Sequence, residues 1–103
     1  MLINVSSPNQ DLSQQDVDAI QRDLEKIDRR LKDFDQVYLE VRLNDPAGAT
    51  VQKVTMELEY GRNRLIANAE DHDVHRAVRI AREQLIRQIG DRGRGSHSDH
   101  AKR

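Results

Sequence analysis

Cysteine is absent from the 103-residue chain. Its absence excludes a disulfide framework, a thiolate metal site and a cysteine nucleophile. Long apolar runs are missing as well: none approaches the roughly 20 residues a membrane span needs. The opening residues, MLINVSSPNQ, lack the layout of a signal peptide. The expectation is a soluble cytoplasmic protein with no membrane partner. Aromatic residues are few, Phe34, Tyr38 and Tyr60 alone, which argues against binding single strands by base stacking. There is no glycine-rich phosphate loop, no nucleophile with a base partner and no convincing carboxylate pair. An enzyme and a bound cofactor are therefore not expected.

Charge is what the chain has in plenty. Charged residues make up 34% and apolar residues 36%, yet the apolar ones are patterned strongly enough to indicate one folded domain rather than disorder. The signs are unevenly spread. Residues 1–71 carry 9 basic and 14 acidic side chains, whereas residues 72–103 carry 8 basic and 4 acidic. A basic C-terminal third on an acidic body suggests a polyanionic partner for that third.

The patterning predicts the elements. The run LINV (2–5) reads as a first strand, followed by turn-forming residues. Ser13 and Asp16 have the spacing of a capping box. Val17, Ile20, Leu24, Ile27 and Leu31 then recur at spacings of three and four, one stripe of a helix over about 14–32. Residues 36–44, 54–60 and 65–70 alternate apolar and polar, as strands covered on one face do. Asp71 to Asp73 offer N-caps for a second helix over about 73–89, with Val74, Ala77, Val78, Ala81, Leu85 and Ile89 on one side and Gly90 as a natural stop. Residues 91–103, DRGRGSHSDHAKR, show no apolar periodicity and are expected to be a flexible basic tail after a domain of residues 1–90. The fold class is α+β, in the order β-α-β-β-β-α. Both helices are expected on the one apolar face of a four-stranded mixed sheet, with the first two strands parallel.

Certain residues in this order carry a family resemblance. They are INV near the start, QVY at 36–38, then Ala69-Glu70, Asp73, Ala77, Val78, Leu85 and Arg87-Gln88. In this register the chain resembles the ribosome hibernation-promoting factors, also called ribosome-associated inhibitors or sigma-54 modulation proteins, in their short form. The resemblance covers about residues 1–89. It implies a domain similar in plan to double-stranded RNA-binding domains. It also implies a non-enzymatic inhibitor that binds the small ribosomal subunit through its 16S rRNA, blocks the mRNA and tRNA channel, and stops translation when growth slows. The chain departs from the family in having His75 for a tyrosine, Arg79 for an aspartate and GDRGRG for a lysine-rich segment.

The candidate RNA-binding residues follow from both readings. On the second helix Arg76, Arg79, Arg82 and Arg87 fall on the half away from the apolar stripe, and Arg92 and Arg94 continue the positive charge into the tail. Such side chains suit phosphate contact, which needs no base-reading motif on A-form RNA. Glu83 can pair with Arg79 or Arg87, while Arg76 and Arg82 have no obvious acid partner on the helix. On the first helix Arg22, Lys26 and Arg29 lie opposite the stripe, where the resemblance implies RNA contacts. There Asp18, Glu25 and Asp28 precede Arg22, Arg29 and Lys32 by four, the favourable order for self-pairing. Ile80 and Ile86 flank or face away from the core stripe and are candidates for a protein contact, weak self-association included. His72 and His75 beside Asp71 and Asp73 have metal-ligand spacing, as do His97 and His100, but nothing supplies a closed ligand set, so no metal is expected. The alternative to a ribosome binder is a protein-interaction module that keeps the fold without the ribosome.

Overall fold

Period-two alternation from Val37 onward places Val37, Leu39, Val41 and Leu43 on one side of a strand, and all four are buried while Tyr38, Arg42 and Asn44 face solvent. The same division holds through the next two strands. The computed structural model describes residues 1–7, 12–44 and 51–101, with side chains through Asp91. The elements are β1 (Leu2–Ser6), α1 (Gln14–Arg30), β2 (Val37–Asn44), β3 (Gln52–Tyr60), β4 (Asn63–Asp71) and α2 (Val74–Ala101). The sheet runs β1-β2-β3-β4, with β1 parallel to β2 and the other two pairings antiparallel. This is the expected four-stranded mixed sheet with both helices on one face.

The core is a single apolar layer between sheet and helices. Ile20, Leu24, Ile27 and Leu31 of the first helix stripe meet Leu39, Val41, Leu43, Val54, Met56 and Leu58 of the sheet, with Ala77, Val78, Ala81 and Leu85 from α2. Each fully buried Leu or Ile contributes about 1.5–3 kcal/mol relative to exposure. The alanines at 77 and 81 bring the α2 backbone close to the sheet. Large side chains there would hold the helix off.

The helix starts follow the sequence. Ser13 and Asp16 close a reciprocal capping box: the Asp16 amide donates to Ser13 Oγ at 3.1 Å, and the Ser13 amide donates to Asp16 Oδ2 at 3.3 Å. At α2 the His75 amide donates to Asp73 Oδ1 at 3.0 Å, so Asp73 takes the expected N-cap role. The C-terminal end of α2 differs from expectation, because the helix passes through Gly90 and Asp91. A helical turn tolerates one glycine at a cost of about 1 kcal/mol, so Gly90 stops a helix only when its neighbours favour stopping. The expected tail lies, from residue 92 onward, outside the residues whose side chains are described. Gly61, at φ 57°, makes the tight β3–β4 turn and is the only non-negative φ among the described residues.

Candidate nucleic-acid interface

The basic side chains divide by face. On the open face of the sheet, Arg42 bonds Glu40 at 2.7 Å and Glu57 at 3.3 Å, Arg64 bonds Glu57 at 2.9 Å, and Lys53 lies 3.8 Å from Glu70. Glu40 and Glu57 stand directly opposite each other on neighbouring strands, a like-charge pairing that Arg42 neutralises from between them. The Arg64 hydrogen bond and charge pull the Glu57 carboxyl below its ordinary pKa. Every lysine and arginine of the three antiparallel strands is thus tied to an acid.

The helix face is different. Among the described residues Arg22, Lys26 and Arg29 of α1 and Arg76 and Arg87 of α2 make no ion pair, and all five are exposed. The acid-before-base pairs expected along α1 do not form. Asp18 instead accepts from Gln14 at 2.9 Å, and Asp28 lies 3.5 Å from the N-terminal ammonium. Exposed i,i+4 pairs are worth only a few tenths of a kcal/mol, so local competitors displace them easily. Arg79 completes a strip. It lines a shallow groove between the helices with Ala19, Arg22, Asp23 and His75. It also lines a second groove along α2 with Arg76, Ile80 and Arg87. Arg79 is loosely held, its Nε 3.5 Å from Asp23 Oδ2, and 61% of its side chain is exposed.

Arg82 is placed otherwise than the sequence suggested. It is only 8% exposed and sits between the two helices. Its Nη1 donates to the Asp23 carbonyl at 3.3 Å and lies 3.7 Å from Asp23 Oδ1, while its Nε donates to Glu83 at 2.9 Å. Glu83 therefore serves Arg82, and Arg79 and Arg87 do not share it. The expectation referred each α2 position to the sheet alone. α1 packs beside α2 and covers the flank where Arg82 emerges. The same reasoning separates Ile80 from Ile86: Ile80 is exposed, whereas Ile86 packs against the core. Arg92 and Arg94 lie outside the described side chains.

Three residues that the charge pattern did not single out position this surface. Asp23 joins Arg79 and Arg82 across the helix pair. Asp16 Oδ1 lies 3.1 Å from His75 Nε2, which ties the first turn of α1 to that of α2. The His75 hydrogen bond, then the two from Ser13, hold the Asp16 carboxyl below its ordinary value of 3.8. His75 thus bridges the helices at the position where the resemblance puts a tyrosine. Gln88 Nε2 donates to the Ile66 carbonyl at 3.0 Å, so α2 occupies part of the outer edge of β4. Sequence spacing could have found Asp23 only as an acid on the flank of α1, four residues after Ala19 and one before the core residue Leu24.

No group of three or more metal-ligating side chains occurs among the described residues. No described helix is long and apolar enough to cross a membrane.

Comparison with known proteins gives a consistent picture. A family model described as sigma 54 modulation protein / S30EA ribosomal protein matches residues 3–93. Among solved structures, the N-terminal domain of Protein Y from Thermus thermophilus is similar at 19% identity and a TM-score of 0.75, over 86% of this chain and 96% of that one. A ribosomal subunit interface protein from Coxiella burnetii is similar at 16% identity and a TM-score of 0.72, over 90% of this chain and 98% of that one. At these identities the structures speak for the fold. No curated protein sequence matches the chain.

Proposed function

We propose, from the premise that the chain belongs to the sigma 54 modulation protein / S30EA ribosomal protein family, that it is a ribosome-associated regulator of translation and not an enzyme. In this reading its helix face docks on rRNA of the small subunit and blocks the mRNA and tRNA channel. The observation that carries the reading is the contrast between the two faces. Cations on the sheet strands are consumed by neighbouring acids, while Arg22, Lys26, Arg29, Arg76 and Arg87 are left for an outside anion. Arg79, held by one long ion pair, joins them. Phosphates of A-form RNA suit such a surface, since they are read by shape and charge. Arg82 is left out of the contact set and serves to hold the helices together. A protein of similar fold, from Coxiella burnetii, is a ribosomal subunit interface protein, which supports this reading.

Co-sedimentation with isolated small subunits across a salt series tests it. Binding should weaken steeply as salt rises, because each phosphate neutralised releases counterion. The double variant Arg76→Glu, Arg87→Glu should lose at least about tenfold in affinity and flatten the salt slope by about two. Reversing Lys53 on the open sheet face should leave binding unchanged. Equal losses from both faces, or none from either, would reject the helix face as the docking surface. Salt-insensitive binding would instead favour a protein-interaction module.

A further inference from the structure

The three aromatic residues of the chain, at positions 34, 38 and 60, converge on one open cleft of about 770 Å³ at the end of the sheet. Asp35 and Glu59 line the same cleft, and among the described residues no lysine, arginine or histidine side chain does; Met1 also lines it, its ammonium 3.5 Å from Asp28. The wall is firmly built. Phe34 meets Tyr60 edge-on with ring centroids 5.0 Å apart. It also rests against the β3–β4 turn, where a Cβ on Gly61 would come within 3.1 Å of its Cε1. Tyr38 stands opposite Glu59 in the β2–β3 register and opposite Leu2 in the β1–β2 register. Phe34 and Tyr38 are half exposed. Asp35 has no ion pair among the described residues. The nearest cation to Glu59 is Arg64 Nε at 3.9 Å, and Arg64 is already bonded to Glu57 at 2.9 Å.

Aromatic π-systems and carboxylates favour the same kind of ligand. Ring faces are negative and attract cations, and carboxylates take charge-assisted hydrogen bonds from guanidinium or ammonium groups. Both repel phosphate. The cleft is therefore opposite in preference to the helix face. We propose that it binds an arginine or lysine side chain presented by a basic peptide segment of another protein. The cation preference stands on the cleft alone. Assigning the segment to a basic protein of the same RNA–protein particle rests on the function proposed above.

The chain contains two tyrosines and no tryptophan, and both tyrosines line the cleft, so intrinsic tyrosine fluorescence reports on this place. The full chain would be titrated with a blocked five-residue peptide of alternating glycine and arginine, and with its citrulline counterpart. The arginine peptide should give a saturable change and the neutral peptide none. Asp35→Asn and Glu59→Gln should each weaken binding about threefold. Asp18→Asn and Glu25→Gln, which neutralise acids on the outer surface of α1, should not. These are surface changes, and circular dichroism would confirm that each variant folds. Equal response to both peptides would overturn the proposal, as would losses from the α1 variants equal to those from the cleft variants. The titration contains no ribosome, so its failure would leave the helix-face reading standing, and failed co-sedimentation would leave the cation preference standing.

Discussion

Arg82 and Arg87 lie five positions apart on α2 and do unlike work. Arg82 fills the seam between the helices and satisfies Asp23 and Glu83, whereas Arg87 is exposed and unpaired among the described residues. Arg82→Met keeps the stem but removes three polar contacts and leaves half-buried Asp23 with only Arg79. It should destabilise the fold by about 1–3 kcal/mol in urea denaturation, while Arg87→Met should stay within about 0.5 kcal/mol. Equal effects would refute the division. Asp16 gives a pH-dependent counterpart. Its pKa is lowered in the folded state by the His75 hydrogen bond and by Ser13. Its contribution is therefore present above the ordinary value of 3.8 and is lost as pH falls through the lower folded value. Asp16→Asn should remove this component, so the stability gap between parent and variant seen at neutral pH should narrow below about pH 4. Melting temperatures measured from pH 7 down to pH 2 would show whether the two curves converge. At this scale the sequence was a partial guide. The capping box could be read from Ser13 and Asp16 because both partners lie on one turn. The His75–Asp16 and Arg82–Asp23 links could not, because their partners meet only when the helices pack.

Elements were more legible than contacts, and for a physical reason. A sheet covered on one face forces strict alternation, so β2, β3 and β4 could be read almost residue by residue from Val37 to Ala69. The α1 stripe was equally clear, since Ile20, Leu24 and Ile27 face one apolar surface. α2 was harder because it has two neighbours, the sheet and α1, and a single helical stripe describes only the first. That is why Arg82 and Ile86 fell on the wrong side of the reading. Local preference alone makes Gly90 a stop, and the helix continues past it. The β3–β4 turn is where local preference and packing agree. Gly61 has positive φ and lies under Phe34, so Gly61→Ala meets both backbone strain and a crowded ring. It should cost at least about 1 kcal/mol and change tyrosine fluorescence through Tyr60. A melt unchanged from the parent would show that the turn relaxes freely.

At the scale of the molecule, the acidic total hides two surfaces of different character. The formal net charge of −1 averages over a sheet face whose charges cancel in pairs and a helix face whose cations stand apart. Sequence counting found the basic C-terminal third, but it could not separate paired from unpaired cations, because pairing is decided across strands and between helices. The connectivity of the sheet has a further consequence for how the chain acquires its shape. β2, β3 and β4 join through neighbouring segments, and α2 follows directly, so their pairing closes short loops at small entropic cost. β1 pairs with β2 only after the chain has passed through all of α1, since Leu2 lies beside Tyr38. Of the four strands β1 is therefore expected to pair last, after the β2–β3–β4 meander. On that order Ile3 and Val5, which pack against the core in the folded chain, are expected to stay uncovered until the meander offers them Leu39 and Val41.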